Sequence, residues 1–447
     1  MTALTKDENS RFYRRLARLA LPMIGQELLN ALINITDTFM VSRLGLRQIT
    51  AVGLGNQLFF LYVLAVFGVT SGGSILMGQF YGAKDNRGVR RTLGLVLGLC
   101  LCAAALFTSV AIIAPDKFLA IYSANPGVIG EGVSYLRVVG ISYVFYAVVV
   151  PMNLAQKSMS QPKIPMITTL VALLLNITLN YIFIYVNGWG VAGCAWATVI
   201  ARGGELSAQL LLLRAERMPL LSHFKDYLSS NKEFFVKFLK IALPVVVNEV
   251  FWAVGTSLYN VAYKACGTEA QGAVQITSSI QLLFQTVGIG TGAAACAIIS
   301  NTLGAGERDK AVAYSRRLLA ASTGLAAVMS LFLLLFFGRI AGLFNVAEDV
   351  KALASSIVRM ICVIMVLKTF NYTTVVGILR SGGDTLFCVL ADTLTVWLCG
   401  LPAALAGGYL FHLPIYAVVG LAGLEDLTKV FITGWRVMNN KWARTLV

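Results

Sequence analysis

The feature that most constrains this chain is the recurrence of apolar runs about 20 residues long, the length that crosses a bilayer as a helix, with clusters of Lys and Arg between them. Twelve such runs can be read, at roughly 19–42, 50–80, 92–114, 133–156, 164–186, 190–213, 238–263, 270–302, 318–338, 353–378, 386–408 and 414–435. In lipid the backbone must satisfy its hydrogen bonds internally, which leaves helices or closed barrels. Barrel strands are about 10 residues long and alternate strictly, a pattern these runs lack. The expected fold is all-α, an integral membrane protein with twelve transmembrane helices. Only 13% of the residues are charged, 57% are hydrophobic and the mean hydropathy is +0.75. A water-facing domain carries about 25% charged residues.

Several classes are excluded. The net charge of +15 would suit nucleic acid only if the basic residues gathered on one face. They fall instead in short clusters between apolar runs, so membrane lipid and a small molecule are the expected partners, with no nucleic acid. The eight cysteines include no C-x-x-C, and the only histidines are His223 and His412, so metal-ligand spacing is lacking and no cofactor is expected. No GKS or GKT phosphate loop is present, which excludes ATP as the fuel. No nucleophile–base or H-E-x-x-H signature marks an enzyme. The basic N-terminus leads into an apolar stretch that is long and holds Glu27 and Asp37, unlike a signal peptide.

Orientation follows from the loops that carry Lys and Arg. The N-terminal tail has Lys6, Arg11, Arg14, Arg15 and Arg18. Alternate connections carry Lys84/Arg87/Arg90/Arg91, Lys157/Lys163, the run from Arg214 to Lys240, Arg308/Lys310/Arg316/Arg317 and Arg380. The opposite loops hold only Arg43/Arg47, Lys117, Lys264 and Arg339/Lys351. Both termini are therefore expected in the cytoplasm, with the chain, as a monomer, in the cell inner (plasma) membrane.

The sequence also repeats. A shift of 222 residues lays Ala20-Leu21-Pro22 on Ala242-Leu243-Pro244, Glu27 on Glu249, Gly45 on Gly267, Gly68 on Gly290 and Gly82-Ala83 on Gly304-Ala305. Six spans precede the repeat, so the halves run parallel, with a pseudo-two-fold axis along the membrane normal and a substrate path between halves. The expected domains are an N-lobe at 1–213, a polar cytoplasmic connection at 214–237 and a C-lobe at 238–447.

Ionisable groups within spans are functional candidates by default. Asp37 lies near the external end of the first span, where it either acts in transport or is an interfacial acid hydrated from outside. Glu27 and Glu249 are repeat mates nearer mid-bilayer. They suit a cationic substrate or proton uptake, or else a hydrogen bond to a neighbouring helix. Lys368, Arg359 and Asp392 are charged within apolar surroundings, for a transport role or for an internal ion pair such as Lys368 with Asp392. Arg202, Glu205 and Glu425 read as structural or snorkelling groups. Asn176 and Asn180 are one turn apart and share a face, for a site or for helix packing.

The residues resemble the multidrug and toxic compound extrusion (MATE) family, in its DinF-like bacterial branch. The resemblance covers essentially the whole chain. It rests on Leu21-Pro22, Ile35-Thr36-Asp37-Thr38-Phe39-Met40-Val41, Leu44-Gly45 and Gly82-Ala83-Lys84-Asp85, then Pro165-Met166 and Gly190-Val191-Ala192-Gly193-Cys194-Ala195. It continues in Gly377-Ile378-Leu379-Arg380-Ser381-Gly382-Gly383-Asp384-Thr385 and Trp435-Arg436 with Trp442, all in family order. It implies two six-helix lobes in a V and a secondary-active antiporter. Such a protein exports drugs, toxic organic cations or metabolites by alternating access, coupled to H⁺ or Na⁺. It also implies a cation site at Asp37, Asn176, Asn180 and Thr198, with Asn180 where several members have a second Asp. Glu27 and Glu249 remain the substrate candidates from the repeat. A lipid-linked precursor flippase of the same superfamily is the alternative, though such proteins typically have fourteen spans and lack the first-span acid.

Overall fold

A chain in lipid closes its backbone hydrogen bonds along each span, and helix dominates the result. The computed structural model describes residues 6–221, 224–341 and 348–447; His223, in the connection, lies outside them. Among the described residues twelve long helical segments follow one another, as expected, with the short helix Pro115–Ala120 between the third and the fourth. They are Lys6–Ser42, Leu46–Gly82, Asn86–Ile113, the bent pair Pro126–Val139 and Ser142–Ser158, Lys163–Val186 and Gly190–Ala215. The second six are Lys232–Lys264, Thr268–Gly304, Arg308–Ala341, Glu348–Tyr372 continued by Thr373–Leu379, Thr385–Leu410, and Ile415–Ala422 with Leu424–Met438. They are called spans one to twelve below. Among the described residues eight helices are long and apolar enough to cross a membrane, and nine if the pair bent by 50° is one span. Two of the others carry charge in their middles: Arg202 and Glu205 in span six, and Glu425, Asp426 and Lys429 in span twelve.

The repeat is visible in backbone detail. Gly45 and its mate Gly267 precede spans two and eight with φ of +125° and +95°. A side chain would be strained in that conformation, so the turn demands glycine in both halves. Span two ends on Ala83 followed by Lys84 at φ +61°, and span eight on Ala305 followed by Gly306 at φ +77°.

Two compact units emerge, and their borders fall inside helices. One is Gly25–Val246; the other is the chain up to Ile24 together with Val247–Val447. The cuts lie within spans one and seven, each just after the proline inside that helix, Pro22 or Pro244, where a backbone donor is missing. They do not coincide with the 214–237 connection.

In the Gly25–Val246 unit the first part of span seven packs tightly on span two. A Cβ on Gly68 would meet Val246 Cα at 2.7 Å, and one on Gly72 would meet Ala242 Cα at 2.6 Å. Small residues let helix backbones approach this closely. A core of Met77, Val89, Leu93, Met152, Ala155 and Ile164 extends to Leu213 and Leu220. The connection docks here as well. Arg90 donates to Asp226 at 2.7 and 2.9 Å and to the Pro219 carbonyl at 3.1 Å, and the Tyr227 hydroxyl donates to the Leu220 carbonyl. Burial pushes the Tyr227 hydroxyl up to about 12, against the pull of Arg90.

In the other unit the start of span one takes the equivalent place. A Cβ on Gly290 would meet Ile24 Cα at 2.8 Å, and Gly290 and Ile24 are the repeat mates of Gly68 and Val246. Phe12, Leu19, Ala20 and Met23 join a core with Ile298, Ile378, Leu379 and Trp442. Gly68→Ala forces a methyl into Val246 and should destabilise the protein by about 1–3 kcal/mol, as overpacking does. Gly53→Ala, with nothing within 4 Å of the new carbon, should leave stability unchanged. Thermal unfolding of the purified variants reads the difference; equal midpoints would contradict the close crossing.

Candidate functional site

In the Gly25–Val246 unit the polar groups of spans one, five and six meet. Asn176 and Asn180, one turn apart on span five, are 1% and 0% exposed. The amide of Asn180 donates to Asp37 Oδ1 at 2.6 Å and to Asn176 Oδ1 at 3.2 Å. Asn180 Oδ1 is left buried with no hydrogen-bond partner. Asp37, half-buried, is thus bonded to span five. A carboxylate and amide oxygens form a hard donor set, suited to a proton or an alkali cation. Span five turns π-helical at Tyr181–Val186, directly after Asn180, a local widening frequent at functional sites. The Thr198 hydroxyl, on span six, donates to the Cys194 carbonyl of its own helix at 3.1 Å.

Deeper in the same unit, Glu27 accepts from Lys157 of span four at 3.0 Å. Next to it, Gln26 donates to Thr169 at 3.3 Å, and Thr169 donates to Glu205 at 3.1 Å. Glu205 is 1% exposed and paired with Arg202 at 2.8 Å, and the Arg202 guanidinium lies 5.3 Å from the Tyr146 ring centroid. Arg202 and Glu205 are thus an internal pair and not snorkelling groups. Gln26 and Thr169 carry no signal in the sequence beyond the place of Gln26 beside Glu27.

The other unit answers with its own pair. Glu249 accepts from Arg380, of the turn closing span ten, at 3.1 Å, so each repeat acid is matched by a base at the end of the fourth span of its half. Asp392 accepts from Lys429 at 2.9 Å and from Asn248 at 3.0 Å, with Arg380 at 3.9 Å. Lys368 stands 4.0 Å from Asp426 instead. The Lys368–Asp392 pairing read from the sequence is thereby corrected: Lys429, one span further on, reaches Asp392 first. Glu425, taken as structural or snorkelling, is 4% exposed and bonded to the Tyr259 hydroxyl, so it does not snorkel. Arg359 is exposed.

Comparison with known proteins follows this layout. The MatE family matches residues 22–182 and 244–405, two segments that begin 222 residues apart, the offset of the repeat. An uncharacterized transporter, YisQ, of Bacillus subtilis is 25% identical over 95% of this chain and 92% of its own length. A probable multidrug resistance protein NorM of Idiomarina loihiensis is 25% identical over 95% and 92%. Among solved structures, a MATE protein in complex with MaL6 superposes with a TM-score of 0.88 at 20% identity, covering 96% of both chains. An outward-facing multidrug resistance MATE family transporter gives 0.87 at 20% identity, again over 96% of both.

The Glu27–Lys157 pair yields a test of its own. Removing one member of a part-buried pair leaves the other charge uncompensated, at a cost of about 1–3 kcal/mol. Lys157→Met should lower the unfolding midpoint accordingly, and the double variant Lys157→Met/Glu27→Gln should recover most of the loss. Additive losses in the double variant would contradict the pairing.

Proposed function

This chain belongs to the MatE family of multi-pass membrane transporters, and on that premise we propose that it exports small molecules across the cell inner membrane in exchange for H⁺ or Na⁺. The observation that carries this reading is the Asp37–Asn180–Asn176 cluster. A carboxylate among buried amides, with the Asn180 oxygen left unpartnered, can hold a coupling cation in one state of the cycle and lose it in another. Relatives that carry the name multidrug resistance protein support drugs and toxic organic compounds as cargo. None of them supports the lipid-linked flippase alternative. The cycle is alternating access between two parallel six-helix lobes, with both termini in the cytoplasm.

Glu27 and Glu249 serve a cationic substrate by exchange. An incoming organic cation takes over the carboxylate that Lys157 or Arg380 holds in the substrate-free protein. Thr198 gives its proton to its own backbone, which leaves the lone pairs of its hydroxyl oxygen for the cation.

Two variants test these assignments in vesicles loaded with a lipophilic cation, with pH and Na⁺ gradients imposed separately. Asp37→Asn should insert and fold normally, because Asn keeps the shape, yet its gradient-driven export should fall to the rate of protein-free vesicles. Export at the wild-type rate would return Asp37 to a hydrated interfacial role. Glu249→Gln should weaken binding of cationic compounds by roughly 2 kcal/mol, about thirtyfold, and neutral compounds of similar size far less. Equal losses for both would make Glu249 a structural partner of Arg380 alone.

A further inference from the structure

The unit formed by the chain up to Ile24 and Val247–Val447 holds interior charge that does not cancel. Arg380 sits between Glu249 and Asp392 at 3.1 and 3.9 Å, Lys429 reaches Asp392 at 2.9 Å, and Lys368 stands 4.0 Å from Asp426. Glu425 follows as the fourth carboxylate, so Glu249, Asp392, Glu425 and Asp426 face three bases, Lys368, Arg380 and Lys429. Asp384 and Arg436 pair with each other at 2.6 Å and leave the difference unchanged. Of the four acids, Glu425 makes no ion pair among the described residues. Lys429 lies one turn beyond it on the same helix face, yet gives its ammonium to Asp392.

What Glu425 has instead is a phenol. It is 4% exposed, and its Oε2 lies 2.5 Å from the hydroxyl of Tyr259, itself 7% exposed. Gly400 of span eleven makes room for both, since a Cβ there would lie 2.9 Å from Glu425 Cβ and collide with the Tyr259 hydroxyl. The surroundings are also short of donors. Asn371 Oδ1 and Asp426 Oδ2, on residues 5% and 3% exposed, have no hydrogen-bond partner, although the Asn371 amide donates to Asp426 Oδ1 at 3.1 Å.

We propose that Glu425 binds and releases one proton, a second titrating carboxyl in addition to the coupling site at Asp37. An ionised carboxylate without a counter-charge is costly in a low-dielectric interior. One proton from water, added to Glu425, leaves three acids against three bases and converts a surplus acceptor into a donor. The groups that face it bear on when it titrates. They are Tyr259 and Tyr263 of span seven, Lys368 of span ten, and Asp426 and Lys429 of span twelve, with Asp392 of span eleven drawing Lys429 away. A metal cation fits less well. It needs several oxygens converging on one point, and among the described residues no group of three His, Cys, Asp or Glu is placed to hold one. Coupling of this proton to transport rests on the export reading above; its binding does not.

Infrared spectroscopy of the purified full-length protein tests the assignment without requiring export. Near neutral pH the wild type should show a protonated-carboxyl C=O stretching band that is lost in Glu425→Gln and retained in Asp37→Asn. In Tyr259→Phe, which keeps the ring and removes only the hydroxyl, the band should move to higher frequency as the hydrogen bond goes. A spectrum unchanged by Glu425→Gln overturns the proposal. If that variant does not fold, a spectrum unchanged by Tyr259→Phe does the same. Loss of the band on adding sodium at constant pH, but not potassium, makes a metal cation the ligand and overturns it too. Loss of export in Asp37→Asn with the band intact keeps this site separate from the coupling reading, so each can fail alone.

Discussion

The ion pairs Glu27–Lys157 and Glu249–Arg380 are where a lipid environment presses hardest on this chain. An ionised side chain inside a span must find its opposite within a few ångströms, because the interior returns little of the solvation it removes. Meeting that need ties the first helix of each half to the end of the fourth, in both units alike. The polar chain through Gln26, Thr169, Glu205 and Arg202 extends the same logic sideways into spans five and six. The helices are held in rotation by these few contacts as much as by their apolar packing.

Three of the four π-helical stretches among the described residues begin just after a buried polar side chain. The π-helical stretch Tyr181–Val186 starts one residue after Asn180, Thr373–Leu379 two residues after Asn371, and Thr395–Gly400 three residues after Asp392. A wider turn displaces the side chains that follow it relative to the regular 3.6-residue period. Such a turn can re-aim polar groups that a straight helix would spread around its circumference, without ending the span.

Much of the fold was legible because lipid imposes a length and a periodicity that the sequence cannot hide. The repeat was legible because glycine and proline are demanded by backbone geometry, as at Gly45 and Gly267. The Asp37 cluster could be read for a similar reason: Asn176 and Asn180 share a face by spacing alone. Partnership between spans was harder. Lys368 and Asp392 look matched in sequence, yet the rotation of spans ten to twelve sends them to Asp426 and Lys429. Tyr259 gave no sign of Glu425, 166 residues away. The connection around Arg214 to Lys237 reads as a solvated tether from its charge, but Asp226 is claimed by Arg90, 136 residues earlier, a pairing no local pattern announces.

The border between units, cutting spans one and seven rather than the connection, has a consequence for ancestry. Each unit completes its core with the opening turns of a helix whose remainder lies in the other. A half-length forerunner built on this plan could not have closed upon itself. Its leading turns would have lacked their packing partners unless a second copy supplied them, the pattern of an exchanged dimer.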